Sequence, residues 1–277
     1  MRGNGNIVGP PNVGLSGVWG VDDQPSGNQY IFKQLPETEA QADANNYVCE
    51  ANNPTAGGNE KGVGGGLAGA DLVLVQGGAI PGAVDGWRTL TDRAAQYLQP
   101  TAALLNAFLQ NPAGYSMQLK LRNINTTGAT SGAVPMLCVL MDDTNKCSMT
   151  MQRVSYGYRV DGHIAGTATQ SVGILPNAQL ADFNAGAGVP IYLLSSVDYA
   201  NGLAVSGISL RKPPKSLSDF LVYSISQPKI ALTPAAGLGW TAGIYRTLLG
   251  GYGGSYVANG CDVASITFAK YPCVSLR

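Results

Sequence analysis

The segment from Tyr115 to Ile124, YSMQLKLRNI, places Met117, Leu119 and Leu121 at every second position. A half-buried strand requires this alternation, because successive side chains of a strand point to opposite faces of the sheet. Further strand candidates lie at 71–75, 135–141, 147–154, 189–194, 203–210, 220–225, 230–232 and 263–269. The pattern predicts an all-β chain.

Glycine and proline separate these runs, with 37 glycines and 16 prolines among 277 residues and no collagen-like period. Glycine supplies positive φ and proline presets φ in turns, so this punctuation is typical of short strands joined by turns. One short helix is predicted at Thr101 to Gln110, TAALLNAFLQ, where apolar residues recur at helical spacing before Asn111 and Pro112. We expect it to pack outside the sheets.

Two hairpins are predicted. Asp161 and Gly162 stand between two strand-like runs, and this dipeptide favours a type I′ turn. The polar sequence DDTNK joins the strand candidates at 135–141 and 147–154. If that turn centres between Asp142 and Asp143, Cys138 and Cys147 face each other across the ladder, a geometry that allows a disulfide without requiring one. The odd count of five cysteines and the absence of a CxxC pair indicate mostly reduced, buried thiols.

Three segments are predicted from composition. Residues 1–66 are rich in Gly, Asn and Pro and form an N-terminal arm for assembly, residues 67–232 form a β-sandwich domain, and residues 233–277 form a Gly/Tyr-rich extension that completes or flanks it. Val18 and Trp19 lie in a short apolar patch of the arm. We expect them to anchor the arm on a partner or a sister subunit.

Residues 112–220 resemble a concanavalin A-like or laminin G-like lectin domain. The resemblance rests on the order of YSMQLKLRNI, YRVDGHIAGTAT (158–169), IYLLSS from Ile191 and SGISL from Ser206. It implies an antiparallel two-sheet jelly-roll sandwich, with an irregular arm and one short helix added, and a glycan-binding role.

A second segment, SGVWGVDDQ from Ser16 to Gln24, resembles a short sequence recurrent in phage tail and fibre proteins. It implies a structural virion component located in the virion, with other virion proteins as partners. A homo-oligomer is expected, a trimer first for a fibre-like part. Such a subunit would serve attachment or assembly, in contact with host surface glycans.

The residues for catalysis are sparse. His163 is the only histidine, expected as an exposed hairpin residue, and no GxSxG elbow surrounds a serine. Asp22 with Asp23 and Asp142 with Asp143 are adjacent pairs, which point to opposite faces in a strand, so solvated turns explain them better than a glycosidase dyad. No catalytic residue, cofactor or metal site is predicted.

The sequence also argues against nucleic acid, a membrane and a dinucleotide as binding partners. Seventeen basic residues offset seventeen acidic ones and no basic block occurs, so no source of nucleic-acid affinity is visible. No apolar run reaches the roughly 20 residues of a membrane helix, so membrane insertion is not expected. The glycines Gly64, Gly66 and Gly69 precede a strand, whereas dinucleotide binding requires them after one.

Aromatic faces that stack on pyranose rings, together with amide hydrogen bonds, are the usual means of binding sugars. Tyr156, Tyr158, Tyr199 and Asn201 fall in predicted hairpins or loops of the lectin-like region and are the predicted carbohydrate-binding residues. Packing in the core or at an interface is the alternative role for each. Two other functions stay open: a free carbohydrate-binding module and a glycan-cleaving tailspike hydrolase.

Overall fold

A computed structural model describes residues 30–51, 59–61, 70–75, 83–90, 97–100, 111–123, 136–138, 148–154, 157–163, 170–176, 181–182, 186–225, 243–245 and 261–276. Its strands are β1 (Tyr30–Phe32), β2 (Asn46–Glu50), β3 (Asn59–Lys61), β4 (Ala70–Val75), β5 (Arg88–Leu90), β6 (Tyr97–Pro100), β7 (Tyr115–Arg122), β8 (Met136–Cys138), β9 (Ser148–Val154), β10 (Gly157–His163), β11 (Gln170–Pro176), β12 (Ile191–Asp198), β13 (Leu203–Leu210), β14 (Val222–Ile225), β15 (Gly243–Tyr245), β16 (Cys261–Ala269) and β17 (Val274–Leu276). In the described ranges, 3-10 turns include Glu39–Gln41 and Leu217–Asp219.

The fold is an all-β sandwich, as the sequence predicts, and every described strand pairing is antiparallel. The largest sheet runs in the order β14-β13-β12-β7-β16-β2, and β5 pairs with β16 beside β2. Smaller sheets are β11-β10-β9, β3-β4-β6, β15-β8 and β1-β17. Within the described ranges, no helix is long and apolar enough to cross a membrane.

The central strands of the largest sheet are buried on both faces. One face carries an apolar row across the central strands, where Leu119 of β7 lies between Leu193 of β12 and Ile266 of β16. The other face packs against the N-terminal and C-terminal ends of the described chain. Its core contains Leu35, Leu194, Leu203, Val205, Leu217, Phe220, Tyr223, Ala269, Cys273 and Val274. Residues that are distant in sequence therefore cover this face of the sheet.

The predicted turn at Asp161 and Gly162 is wrong. Both residues lie inside β10, opposite Thr150 and Met149 of β9. β10 is the central strand of its sheet, so ladder hydrogen bonds on both sides outweigh the local preference of Asp-Gly for a turn. A register shift against β11 beside Asp161 accommodates the irregularity. His163, predicted as a hairpin residue, is instead the last residue of β10, opposite Ser148.

A type I′ turn is found at the other Asp-Gly pair. Asp85 and Gly86 have φ of 50° and 82°, and Val84 and Trp87 close the turn with two backbone hydrogen bonds of 2.8 and 2.9 Å. Positive φ at both central positions is the reason why Asp-Gly suits this turn.

Residues 30–51 of the predicted arm contribute β1 and β2 to the sandwich, where β1 pairs with β17 and β2 with β16. The partners of β1 and β2 lie more than 200 residues away, so local sequence pattern did not indicate them. The division at residue 66 stays a prediction. The strand candidate at 135–141 contains β8, which pairs with β15. The predicted hairpin between 135–141 and 147–154 stays a prediction, because residues 139–147 lie outside the described ranges.

Several predictions fall outside the described residues. These are the helix at 101–110, the turn at Asp142 and Asp143, Asp22 and Asp23, the strand at 230–232, Cys147, and the assembly residues Val18 and Trp19.

Candidate functional site

Three strands meet at one end of the largest sheet and align three polar residues. Asp262 of β16 lies opposite Thr89 of β5 on one side and opposite Arg122 of β7 on the other. Cross-strand partners share a face of the sheet, so the three side chains form a row. Trp87 stands two residues before Thr89 and follows the Asp85-Gly86 turn directly. We call Trp87, Thr89, Arg122, Asn123 and Asp262 the Trp87 corner.

Arg122 is held at two points in this corner. Its guanidinium carbon lies 4.2 Å from the centroid of the Trp87 ring, within range of a cation–π interaction. Its Nε donates a hydrogen bond of 3.0 Å to Asp262 Oδ2. The Arg122 side chain nevertheless keeps 27% of its surface exposed, against 13% for that of Asp262. The guanidinium is therefore oriented but open to solvent.

Asp262 accepts hydrogen bonds from three residues of the corner. Besides Arg122, Asn123 Nδ2 donates to Oδ2 at 2.8 Å and Thr89 Oγ1 donates to Oδ1 at 2.8 Å. Charge-assisted hydrogen bonds to both carboxylate oxygens fix its orientation. A rigid carboxylate in turn fixes the groups around it.

Asn123 links the corner to a glycine-containing loop. Its φ is 54°, a left-handed conformation that asparagine tolerates better than most residues. Its Oδ1 accepts hydrogen bonds from the backbone N–H groups of Gly186 and Gly188, at 3.1 and 2.8 Å. The loop before β12 is thereby fastened beside Asp262.

The structure separates the predicted carbohydrate-binding residues. Tyr199 and Asn201 lie in the turn after β12, which ends at Asp198, whereas Tyr158 lies in β10 of another sheet. Tyr156 is outside the described residues. Their role in sugar binding stays a prediction.

The turn after β12 also has a structural explanation. The Tyr199 ring meets the Tyr115 ring edge-on at 6.0 Å, and Asn201 donates two hydrogen bonds to the Asp198 carboxylate, at 2.7 and 3.1 Å. Both residues are half-buried. These contacts stabilise the turn.

Sequence reasoning missed the Trp87 corner. One signal was present, because Val84 to Trp87 reads VDGW and carries the same turn dipeptide that was assigned at 161–162. The convergence of Trp87, Arg122 and Asp262 was not visible, since these residues come from strands far apart in the chain.

A second polar cluster lies on the same face of the sheet. Glu37 Oε2 accepts hydrogen bonds from Lys120 Nζ at 3.0 Å and from the Tyr192 hydroxyl at 2.9 Å. Burial, and then the hydrogen bond to Glu37, raises the pKa of Tyr192 above its usual range. The phenol therefore stays neutral and donating, and this cluster fastens the segment before β2 to the sheet.

Among the residues that the structure describes, Cys49, Cys261 and Cys273 are buried and form no disulfide, as predicted for this chain. Burial raises the pKa of Cys273 to about 11 and that of Cys261 further. A thiol that stays protonated is a poor nucleophile, so the side chains of Cys261 and Cys273 pack rather than react. In the described part of the chain, no group of three or more His, Cys, Asp or Glu residues is placed to hold a metal ion.

No family model matches the chain, and no curated protein matches it. Among solved structures, a Trypanosoma rangeli sialidase in complex with sialic acid is 7% identical with a TM-score of 0.45, over 82% of this chain and 30% of its own. A protein of unknown function from Shewanella oneidensis is 9% identical with a TM-score of 0.44, over 87% of this chain and 91% of its own.

The binding domain of botulinum neurotoxin DC, in complex with SialylT, is 7% identical with a TM-score of 0.43, over 85% of this chain and 49% of its own. This chain thus spans less than a third of the sialidase and about half of the toxin structure. Because these TM-scores are below 0.5, the likenesses carry no argument about ligand or activity.

Proposed function

We propose that this chain is a non-enzymatic glycan-binding protein of a virion surface, and that the Trp87 corner is its binding site. The observation that carries the proposal is the arrangement of Trp87 and Arg122. A half-buried indole, fixed by a tight turn, offers apolar surface for a sugar ring, and the adjacent guanidinium and amide supply oriented polar groups. A few placed polar groups beside aromatic surface are typical of ligand sites.

The corner favours binding over hydrolysis. A glycosidase uses two carboxylates roughly 5 to 10 Å apart, one on each side of the scissile bond. Among its five residues the corner has one carboxylate, and three donors engage both oxygens of Asp262. A carboxylate committed in this way positions neighbouring groups and is poorly placed to activate water.

Substitution of Trp87 tests the site. We expect Trp87→Ala to weaken retention on immobilised host surface glycans about fivefold to thirtyfold, since loss of a central aromatic contact costs roughly 1 to 2 kcal/mol. Trp87→Phe should retain part of the affinity. The measurement is the dissociation constant by biolayer interferometry, with circular dichroism to check the fold.

Tyr199→Ala tests the competing prediction that the β12–β13 turn binds the sugar. If the Trp87 corner is the site, this variant should bind like the unaltered protein. Loss of binding with Tyr199→Ala but not with Trp87→Ala would move the site to that turn and contradict the proposal.

The virion location rests on the resemblance of Ser16–Gln24 to phage tail and fibre segments. A homo-oligomer, with a trimer as the first expectation, would present several weak sites together, and avidity can raise affinity about 10²- to 10⁴-fold. An antibody against the chain should label purified phage particles of the source in electron micrographs. If neither labelling nor mass spectrometry detects the chain in purified particles, the virion role is excluded. The proposal of glycan binding would be unaffected by that result.

A further inference from the structure

The guanidinium of Arg122 has donors left over. Nε is bonded to Asp262, whereas Nη1 and Nη2 have no hydrogen-bond partner among the residues that the structure describes. Arginine presents its five N–H groups in a planar fork, and the two Nη groups together match the two oxygens of a carboxylate. As far as the described residues go, the Nη end of Arg122 is therefore an unoccupied bidentate donor.

Two contacts prepare this fork for a ligand. The guanidinium carbon lies over the Trp87 ring and Asp262 holds Nε, so little side-chain freedom remains to be lost on binding. Arg211 shows the contrast: its side chain is 67% exposed, and its Nη2 is already bonded to Asp182 at 2.8 Å. Of these two arginines, Arg122 is the one with a fixed guanidinium and, within the described ranges, an outer edge without a hydrogen-bond partner.

We propose that the glycan bound at the Trp87 corner carries a carboxylate, which Nη1 and Nη2 of Arg122 bind end-on while the sugar ring lies against Trp87. This inference rests on the proposed function and specifies its ligand class. The negative charge of Asp262 does not prevent such a ligand from binding, because Asp262 contacts Nε at the inner side of the guanidinium. A carboxylate at the outer edge is closer to the cation than to Asp262, so attraction exceeds repulsion.

Uronic acids and sialic acids both supply this chemistry, and the test separates them. Dissociation constants are measured for a uronic acid-containing oligosaccharide, for a sialylated oligosaccharide, and for each after reduction of its carboxyl group to the alcohol. We expect at least one acid to bind about tenfold or more tightly than its reduced form, with a preference that shrinks as salt rises. The acid with the larger ratio identifies the source.

Variants locate the effect. Arg122→Gln should abolish the preference for the acid, and Arg122→Lys should retain only part of it, because lysine keeps the charge but lacks the fork. Arg211→Gln is the matched control and should leave both constants unchanged. Thermal unfolding checks that each variant is folded. If Arg122→Gln does not fold, Arg122→Lys still tests the inference, because it preserves the ion pair with Asp262.

The outcomes separate the two proposals. Equal binding of acid and reduced glycan, with affinity still dependent on Trp87, would overturn the carboxylate inference and leave glycan binding standing. A sulfated neutral sugar that binds as tightly as the acid would show a general anion site and would also overturn it. Failure of every glycan to bind would overturn both.

Discussion

A chain that begins at residue 52 is expected not to fold. It lacks β2, which pairs with β16, and with it the fully buried Tyr47 and Val48, as well as Leu35 and the Glu37 contacts to Lys120 and Tyr192. Burial of each large apolar side chain contributes about 1.5 to 3 kcal/mol. Several such losses together approach the roughly 5 to 15 kcal/mol by which a typical domain is stable.

A chain that begins at residue 30 is the matched control. It keeps β1, β2 and their partners, so we expect a cooperative thermal transition and a strand-type circular dichroism spectrum. The comparison also tests the predicted assembly role of Val18 and Trp19, because this chain should remain folded but lose the oligomer in size-exclusion chromatography with light scattering. A cooperative transition in the chain that begins at residue 52 would contradict the place of β2 in the sandwich.

Phe220→Ala should lower the free energy of unfolding by about 3 to 5 kcal/mol, the usual cost of removing a buried phenylalanine. Phe220 is fully buried, and its ring lies 5.8 Å from that of Tyr223 and 6.4 Å from that of Phe32. It fills the space above Gly207, where an added Cβ would overlap the ring. The cavity left by alanine is thus walled by fixed strands and cannot collapse easily.

Phe32→Ala is the control for this prediction. Phe32 contacts the same ring but is only half-buried, so its loss should cost clearly less. Urea denaturation followed by tyrosine and tryptophan fluorescence gives both values. Equal costs for the two variants would show that Phe220 is not the centre of this core.

The sequence predicted those parts of the fold that depend on local pattern. Leu119 and Leu121 alternate with polar neighbours because one face of β7 is apolar. Their cross-strand partners in β12, Leu193 and Ile191, continue that apolar face. Strands β12, β13 and β16 were predicted for the same reason. Their pairing order was not, since β7 meets β16 across more than 130 residues and nothing local records that contact.

Asp161 and Asp85 show where local pattern misleads. Both precede glycine, yet only Asp85 lies in the turn that this dipeptide favours, because β10 pairs on both sides at Asp161. The Trp87 corner depends on the same non-local information. Its turn could be predicted from VDGW, whereas the row of Thr89, Asp262 and Arg122 exists only through the sheet.

The most direct test of glycan binding without cleavage is one incubation of the purified full-length protein with host surface glycans, in which retention and new reducing ends are measured together. We expect glycan-dependent retention that falls with Trp87→Ala, and no reducing ends above the protein-free control. New reducing ends that disappear when Asp142 and Asp143 are replaced by asparagine would show that the chain is a glycan-cleaving enzyme and would contradict the proposal.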